Sequence, residues 1–402
     1  MKKNHLLAGC SVLALAVLAA SPASAQFVVK LGGNYDFFAG YIGQSNDKGK
    51  RTTEFNNRFR LTVDASNKAD NGLEYGVHLR LRTVSNSSGG SVVDYDRAYS
   101  FAQGAFGLVQ LGDLTGPGDT QRTGVLDWGT GAATDGWVDN WIPSSTFLDV
   151  RTPMSGDTSS RINYYTPRIA GVQVGLSYMP KGHGGEDFAH VAGSGGSNGT
   201  DLNLSKRNST ASNVQDIYEI GFGYVGAAGP VTINLNGEYE GGNIYGTGVG
   251  GVPTGSSLRP LSAYQAGGKI SYAGLDLGGD FVYAGKSGYA RNPGATNSGL
   301  DSQLTYDVGL QYTTGPILVG INYAYGQGGG AVEQGGSYSV GGHRNTKLYS
   351  AGATYTIAPG FTAGIEYDYF KIHYTDAAQV ATATDSPNDR GSVVILTTGV
   401  SF

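Results

Sequence analysis

One pattern limits what this chain can fold into. Apolar and polar residues alternate with period two, in segments long enough to cross a bilayer as tilted strands. Val29, Leu31, Gly33, Tyr35, Phe37, Ala39 and Tyr41 share one face; Lys30, Gly32, Asn34, Asp36, Phe38 and Gly40 share the other, mostly polar, one. Phe55, Phe59, Leu61 and Val63 oppose Glu54, Asn56, Arg58, Arg60, Thr62 and Asp64, and Leu73, Tyr75, Val77, Leu79 and Leu81 oppose Glu74, His78, Arg80 and Arg82. The rhythm returns through Tyr218/Ile220/Phe222/Tyr224, Leu304/Tyr306/Val308/Leu310/Tyr312 and Ile317/Val319/Ile321/Tyr323/Tyr325. Its last copy is Val394, Leu396, Thr398, Val400 and Phe402. Helical spacing fits none of these, so each is a strand with a different solvent on each face.

The joints between strands alternate between short and long. Short ones carry Gly or Pro turn chemistry, as at Ala227–Pro230, Ala273-Gly274, Thr314–Pro316 and Ala358–Gly360. Long ones are rich in Gly, Ser and Asn, and the longest is Asp113–Ser159. Seven short and eight long joints imply sixteen strands with both chain ends on the short-turn side. An even number of antiparallel strands can close into a barrel, which leaves no unpaired edge in lipid. The expected fold is therefore all-β: a 16-stranded antiparallel transmembrane β-barrel with short periplasmic turns and long extracellular loops. A soluble β-sandwich would also alternate. The length of the strands, the outward tyrosines near strand ends (Tyr35 and Tyr41, Tyr218 and Tyr224, Tyr306 and Tyr312) and the lack of a second core count against it.

The first 25 residues read as a cleaved export signal: Lys2 and Lys3, an apolar Leu6–Ala20, then Ala23-Ser24-Ala25, with the mature chain 26–402 starting at Gln26. Cys10 is the only cysteine and lies in that segment, so no disulfide or thiolate metal site is expected. The signal holds two of the 27 basic residues and none of the 32 acidic ones, which leaves the mature chain at −7. That balance, without any basic run, argues against a nucleic-acid partner. The string Gly221-Phe222-Gly223-Tyr224-Val225-Gly226 fits a dinucleotide fingerprint but sits inside a strand, and His78, His183, His190 and His343 have no metal-like spacing. No catalytic residue, cofactor or metal is expected.

Several segments in order resemble the Gram-negative outer-membrane porin family, particularly its alphaproteobacterial members. They are Lys30-Leu31-Gly32-Gly33, Phe106-Gly107-Leu108-Val109-Gln110-Leu111-Gly112, Arg161-Ile162-Asn163-Tyr164-Tyr165-Thr166-Pro167 running into Gly171–Tyr178, and the terminal Phe402. The resemblance spans the whole mature chain. It implies a homotrimer in the outer membrane, in contact with lipid and lipopolysaccharide. It implies a water-filled channel for passive diffusion of small hydrophilic solutes and ions, and no enzyme. It also implies that Phe402 signals to the barrel-assembly machinery, and that the third long loop, 113–159, folds inward as a constriction. The early-strand arginines Arg58, Arg60, Arg80 and Arg82, joined by Arg97 and Arg161, would then form a basic wall. Loop carboxylates, chiefly Asp127, Asp135 and Asp139, would face it, giving a transverse field. Arg97 has ambiguous parity, since it shares a face with Tyr95, Tyr99 and Phe101. The bland alternative pairs these arginines with Glu54 or Glu74 as solvated lumen residues. Trp128, Trp137 and Trp141 all fall in the loop, either pinning it or offering sugars an aromatic surface. A pore specific for sugars or organic anions is the second functional reading.

Overall fold

In the computed structural model, the described residues are 13–14, 27–45, 51–85, 91–124, 148–156, 158–182, 213–245, 258–288, 291, 299–328, 341–342, 344–374 and 388–402. Sixteen long strands follow one another among them. They are β1 (Val28–Gln44), β2 (Thr53–Lys68), β3 (Glu74–Ser85), β4 (Ser91–Gly104), β5 (Gly107–Asp113), β6 (Ser160–Tyr165), β7 (Val172–Lys181) and β8 (Asn213–Ala228), then β9 (Val231–Tyr245), β10 (Leu261–Tyr272), β11 (Leu275–Gly285), β12 (Gln303–Thr314), β13 (Ile317–Gly328), β14 (Arg344–Ala358), β15 (Phe361–Tyr374) and β16 (Asn388–Ser401). Each pairs antiparallel with its sequence neighbours. The last pairs with the first, Leu396 opposite Ala39 and Val400 opposite Tyr35, so the sheet is a closed sixteen-strand ring. The same sheet takes up the two-residue segment Leu13–Ala14 against Lys30 and Leu31. Gly299–Leu300 and Gly341–Gly342 make a separate short parallel pair.

The two faces of the ring invert the arrangement of a soluble protein. Leu31, Tyr35, Phe55, Val77, Ile220, Leu277, Val308, Ile321, Leu396 and Val400 are exposed on the outside, whereas Asn236, Gln265, Asp280, Asp307, Gln311, Asn322 and Asp368 are buried on the inside. A sandwich would bury the first set; a bilayer solvates it. Tyrosines form belts near both strand ends. Toward the long-loop end, Tyr218, Tyr239 and Tyr264 stand 5.9 and 5.1 Å apart between successive ring centroids, and Tyr306, Tyr323, Tyr349 and Tyr369 continue the line. At the other end Tyr35, Tyr272, Tyr312 and Tyr355 are exposed.

The short joints are tight turns. Ala273 and Gly274 both take positive φ, 50° and 87°, as a two-residue hairpin of matching twist requires. The joint after β2 is equally short: β2 runs on to Lys68 and the turn closes with Gly72 N–H donating to Ala69 O at 2.9 Å. The ambiguous parity around Arg97 has a physical cause. The β3–β4 register slips between Arg80 and Leu81: Arg80 faces Arg97, yet Leu81 faces Tyr95. Asp96 is the extra residue of this bulge. Tyr95 therefore points out, while Arg97 and Tyr99 point in, with Tyr99 stacked on His78 at 4.8 Å.

The polar face is not uniformly polar. Phe38, Ala324, Leu348, Phe370, Ile372, Val393 and Ile395 form an inward apolar cluster on β1 and β13–β16, and Leu148 of the third long loop packs into it. β5 and β6, which carry that loop, have only seven and six residues.

Candidate functional site

The loop between β5 and β6 lies against the inner wall at both of its described ends. After Asp113 the chain enters a single helical turn, α1 (Pro117–Thr120), begun by Pro117. Gly118 N–H donates to Glu238 Oε1 at 3.1 Å, and Gly118 O accepts from Gln265 Nε2 at 3.1 Å. Thr123 donates through its N–H, 3.0 Å, and its hydroxyl, 2.8 Å, to Asn236 Oδ1. On the returning limb, Thr152 Oγ1 donates to Glu238 Oε2 at 2.9 Å and Met154 N–H donates to Glu240 Oε2 at 3.0 Å. Met154 itself is fully buried in a socket of Met179, Val214, Ile217, Leu261, Ala263 and Ala284. A Cβ at 116 or 118 would meet the carboxylates of Glu219 and Glu238, so any larger residue there would have to displace these acceptors.

These anchors put the described loop residues on β8–β11, and Leu148 reaches the wall of β13–β16. The wall of β2–β4 carries the arginines. Arg58 pairs with Asp36 at 3.0 Å; Arg80 holds Asp96 through two hydrogen bonds of 2.6 Å, with Arg82 3.7 Å from the same carboxylate. Arg97 reaches Asp119 on the loop at 3.5 Å. Arg60 stands directly across from Arg82 and makes no salt bridge among the described residues. Four of these five arginines thus share three carboxylates, and Arg82 and Arg97 keep 35% and 30% of their side-chain surface open. The partners are not Glu54 or Glu74: Glu54 pairs with Arg51 nearer the rim, and Glu74 accepts from the Gln103 amide.

Arg161 is set apart from this group. Its side chain is 0% exposed, pairs with the equally buried Glu219 and donates to Met154 O at 2.7 Å. It holds the root of the loop to the wall and does not line open lumen. Asp127, Asp135, Asp139, Trp128, Trp137 and Trp141 lie outside the described residues. Two carboxylates inside them, Asp119 and Asp149, both engage Arg151. Burial alone would push the Asp149 carboxyl up; the Arg151 guanidinium more than offsets this and holds it below its ordinary value. Phe402 is exposed on the outer wall, its main chain doubly hydrogen-bonded to Gly33.

Sequence reading passed over Asp96 and the carboxylates Glu219, Glu238 and Glu240. The latter three are buried with oxygens within 4.8 Å of one another, close enough to hold a metal. Here Arg161 and the loop's own N–H and O–H groups occupy that set, leaving Glu219 Oε2 without a partner. Their parity opposite Tyr218, Ile220 and Tyr239 was the available signal.

A family model described as Gram-negative porin matches residues 11–373. The chain belongs to the Gram-negative porin family. Full-length relatives of this porin include uncharacterized proteins of Rickettsia felis and Rickettsia conorii, each 23% identical with 100% of both chains covered. Among solved structures it is similar to the anion-selective porin from Comamonas acidovorans (TM-score 0.58, 15% identity, 94% of this chain and 100% of that one). It is also similar to OmpTdeltaL8, an outer-membrane protein of Vibrio cholerae (0.57, 13%, 94% and 99%), and to a triple mutant of the Rhodopseudomonas blastica porin (0.52, 14%, 93% and 100%). Family and fold place this porin in the outer membrane as a transmembrane β-barrel.

Proposed function

We propose that this porin is a non-enzymatic, water-filled channel for small hydrophilic solutes, narrowed by the loop 113–159 and preferring anions at its narrowest level. It works as a homotrimer after loss of residues 1–25. The observation that carries the reading is the asymmetry of the lumen. Gly118, Thr152 and Met154 of the loop draw on the carboxylates of β9, and among the described residues the arginines of β2–β4 outnumber the carboxylates that they meet, with Arg82 and Arg97 partly open. Where a pore is narrow, the charge at its lining decides which ion enters, more than net charge does. The −7 of the mature chain therefore does not settle selectivity.

The test is the reversal potential of the purified porin in a planar bilayer under a salt gradient. Anion preference is expected for the wild type and a shift toward cations for Arg60→Ala/Arg82→Ala, neither of which strips Asp96 of its main partner Arg80. A cation-selective wild type, or a variant with unchanged reversal potential, would reject the anion-preferring eyelet.

A further inference from the structure

The wall beneath the loop has a gap in it. Tyr165 on β6, Gly175 on β7, Gly221 on β8, Glu238 on β9 and Gln265 on β10 are successive cross-strand partners, so they form one row at one level of the barrel. All five are buried and face inward, on the side opposite to the exposed Leu176, Ile220 and Phe222. The ends of the row carry side chains; Gly175 and Gly221, in the middle, carry none. The helical turn α1 lies over that gap. A Cβ on Gly221 would stand 2.6 Å from Pro117 Cβ and 2.5 Å from Gln121 Oε1, and one on Gly175 would stand 2.9 Å from Pro117 Cβ, closer than real Cβ contacts come. Neither glycine has a positive φ. The backbone conformation therefore asks for no glycine at either place; the close approach of α1 does.

The gap fixes how far α1 stands from the wall. At the polar end of the row, Gly118 N–H donates to Glu238 Oε1 and Gln265 Nε2 donates to Gly118 O, 3.1 Å each, which draws the turn down. At the bare end Pro117 and Gln121 rest on backbone. Atoms in ordinary contact stand about 3.5 Å apart, so a methyl group at position 221 would lift α1 toward the lumen by about 1 Å. Glu238 and Gln265 have side chains long enough to follow it, so the turn keeps its anchors and moves as a body. Close-packed contacts pass such a displacement on instead of absorbing it. A passive channel sorts solutes by its diameter at the narrowest level. Resting on the reading of the loop 113–159 as the element that narrows the channel, we propose that Gly221 and its partner Gly175 are positioning residues. They set how far the loop reaches into the lumen, and so the largest solute that passes.

The test reconstitutes the full-length porin in planar bilayers, for single-channel conductance, and in liposomes, for swelling in neutral sugars of increasing size. Gly221→Ala is expected to lower the conductance and to steepen the fall of swelling rate with sugar size, and Gly221→Val to do both more strongly. Rescue separates a steric role from general damage. In Gly221→Ala/Pro117→Gly/Gln121→Ala both crowding atoms are gone and the next one, Pro117 C, stands at 3.5 Å, so conductance and swelling should return to the wild-type values. Gly237→Ala lies on the outward face of β9, where a Cβ would meet only Gln265 O at 3.7 Å, and should change neither. Wild-type conductance in Gly221→Ala, larger and noisier openings from it, or no recovery in the triple variant would overturn the proposal while the wild type still conducts. Absence of conductance steps in the wild type would overturn the channel reading itself, and the role of the two glycines with it.

Discussion

Arg161→Met separates an arginine that holds the loop from arginines that line the pore. The substitution keeps most of the side-chain volume and removes the charge. It leaves Glu219 buried without its cation and Met154 O without its 2.7 Å donor. Stripping one partner from a buried ion pair costs about 3–5 kcal/mol, and a hydrogen bond from a charged group about 1.5–3. A shift of about 4 kcal/mol multiplies the loop's local opening constant about a thousandfold. Single-channel recording of Arg161→Met should therefore show larger, noisier openings than the wild type. The double variant Arg161→Met/Glu219→Gln, which removes the stranded carboxylate as well, should be quieter than the single one. Wild-type openings from Arg161→Met, or a double variant no better than the single, would refute the reasoning.

Met154→Ala empties a fully buried socket and should loosen the same limb by up to about 2–5 kcal/mol, seen as raised open-channel noise without change in ion preference. Asp149 is held below its ordinary value, so its contribution to the loop is fully present at neutral pH and is lost only as pH falls below about 3.8. Asp149→Asn should then differ from the wild type by a constant margin from pH 8 to 5, and the margin should close only in strong acid; circular dichroism and channel noise read it. N-terminal sequencing of the protein purified from outer membranes should begin at Gln26, and a start at Met1 would contradict the export signal.

The barrel was legible because lipid imposes a period-two pattern that no tertiary detail overrides. Leu31, Tyr35 and Leu396 report their side of the wall by position alone, and the turn at Ala273-Gly274 declares itself by residue type. The loop announced itself only by length. Its docking depends on where a backbone N–H meets a carboxylate from a strand more than eighty residues away, as Met154 meets Glu240, and no local pattern encodes that. The resemblance put Arg161, just after the loop, among the pore arginines. It could not say whether loop or water would cover it. At Asp96 a single extra residue reversed the parity of all that follows in β4, which is why Arg97 was ambiguous and the partner of Arg80 was missed. Phe38 and Phe370 show that an inward position is not always a polar one.

Single-channel conductance of the purified porin as a function of salt concentration tests the central claim most directly. A water-filled channel predicts discrete steps whose size rises in proportion to the conductivity of the bulk solution. Absence of steps, or a conductance that saturates at low salt, would contradict it.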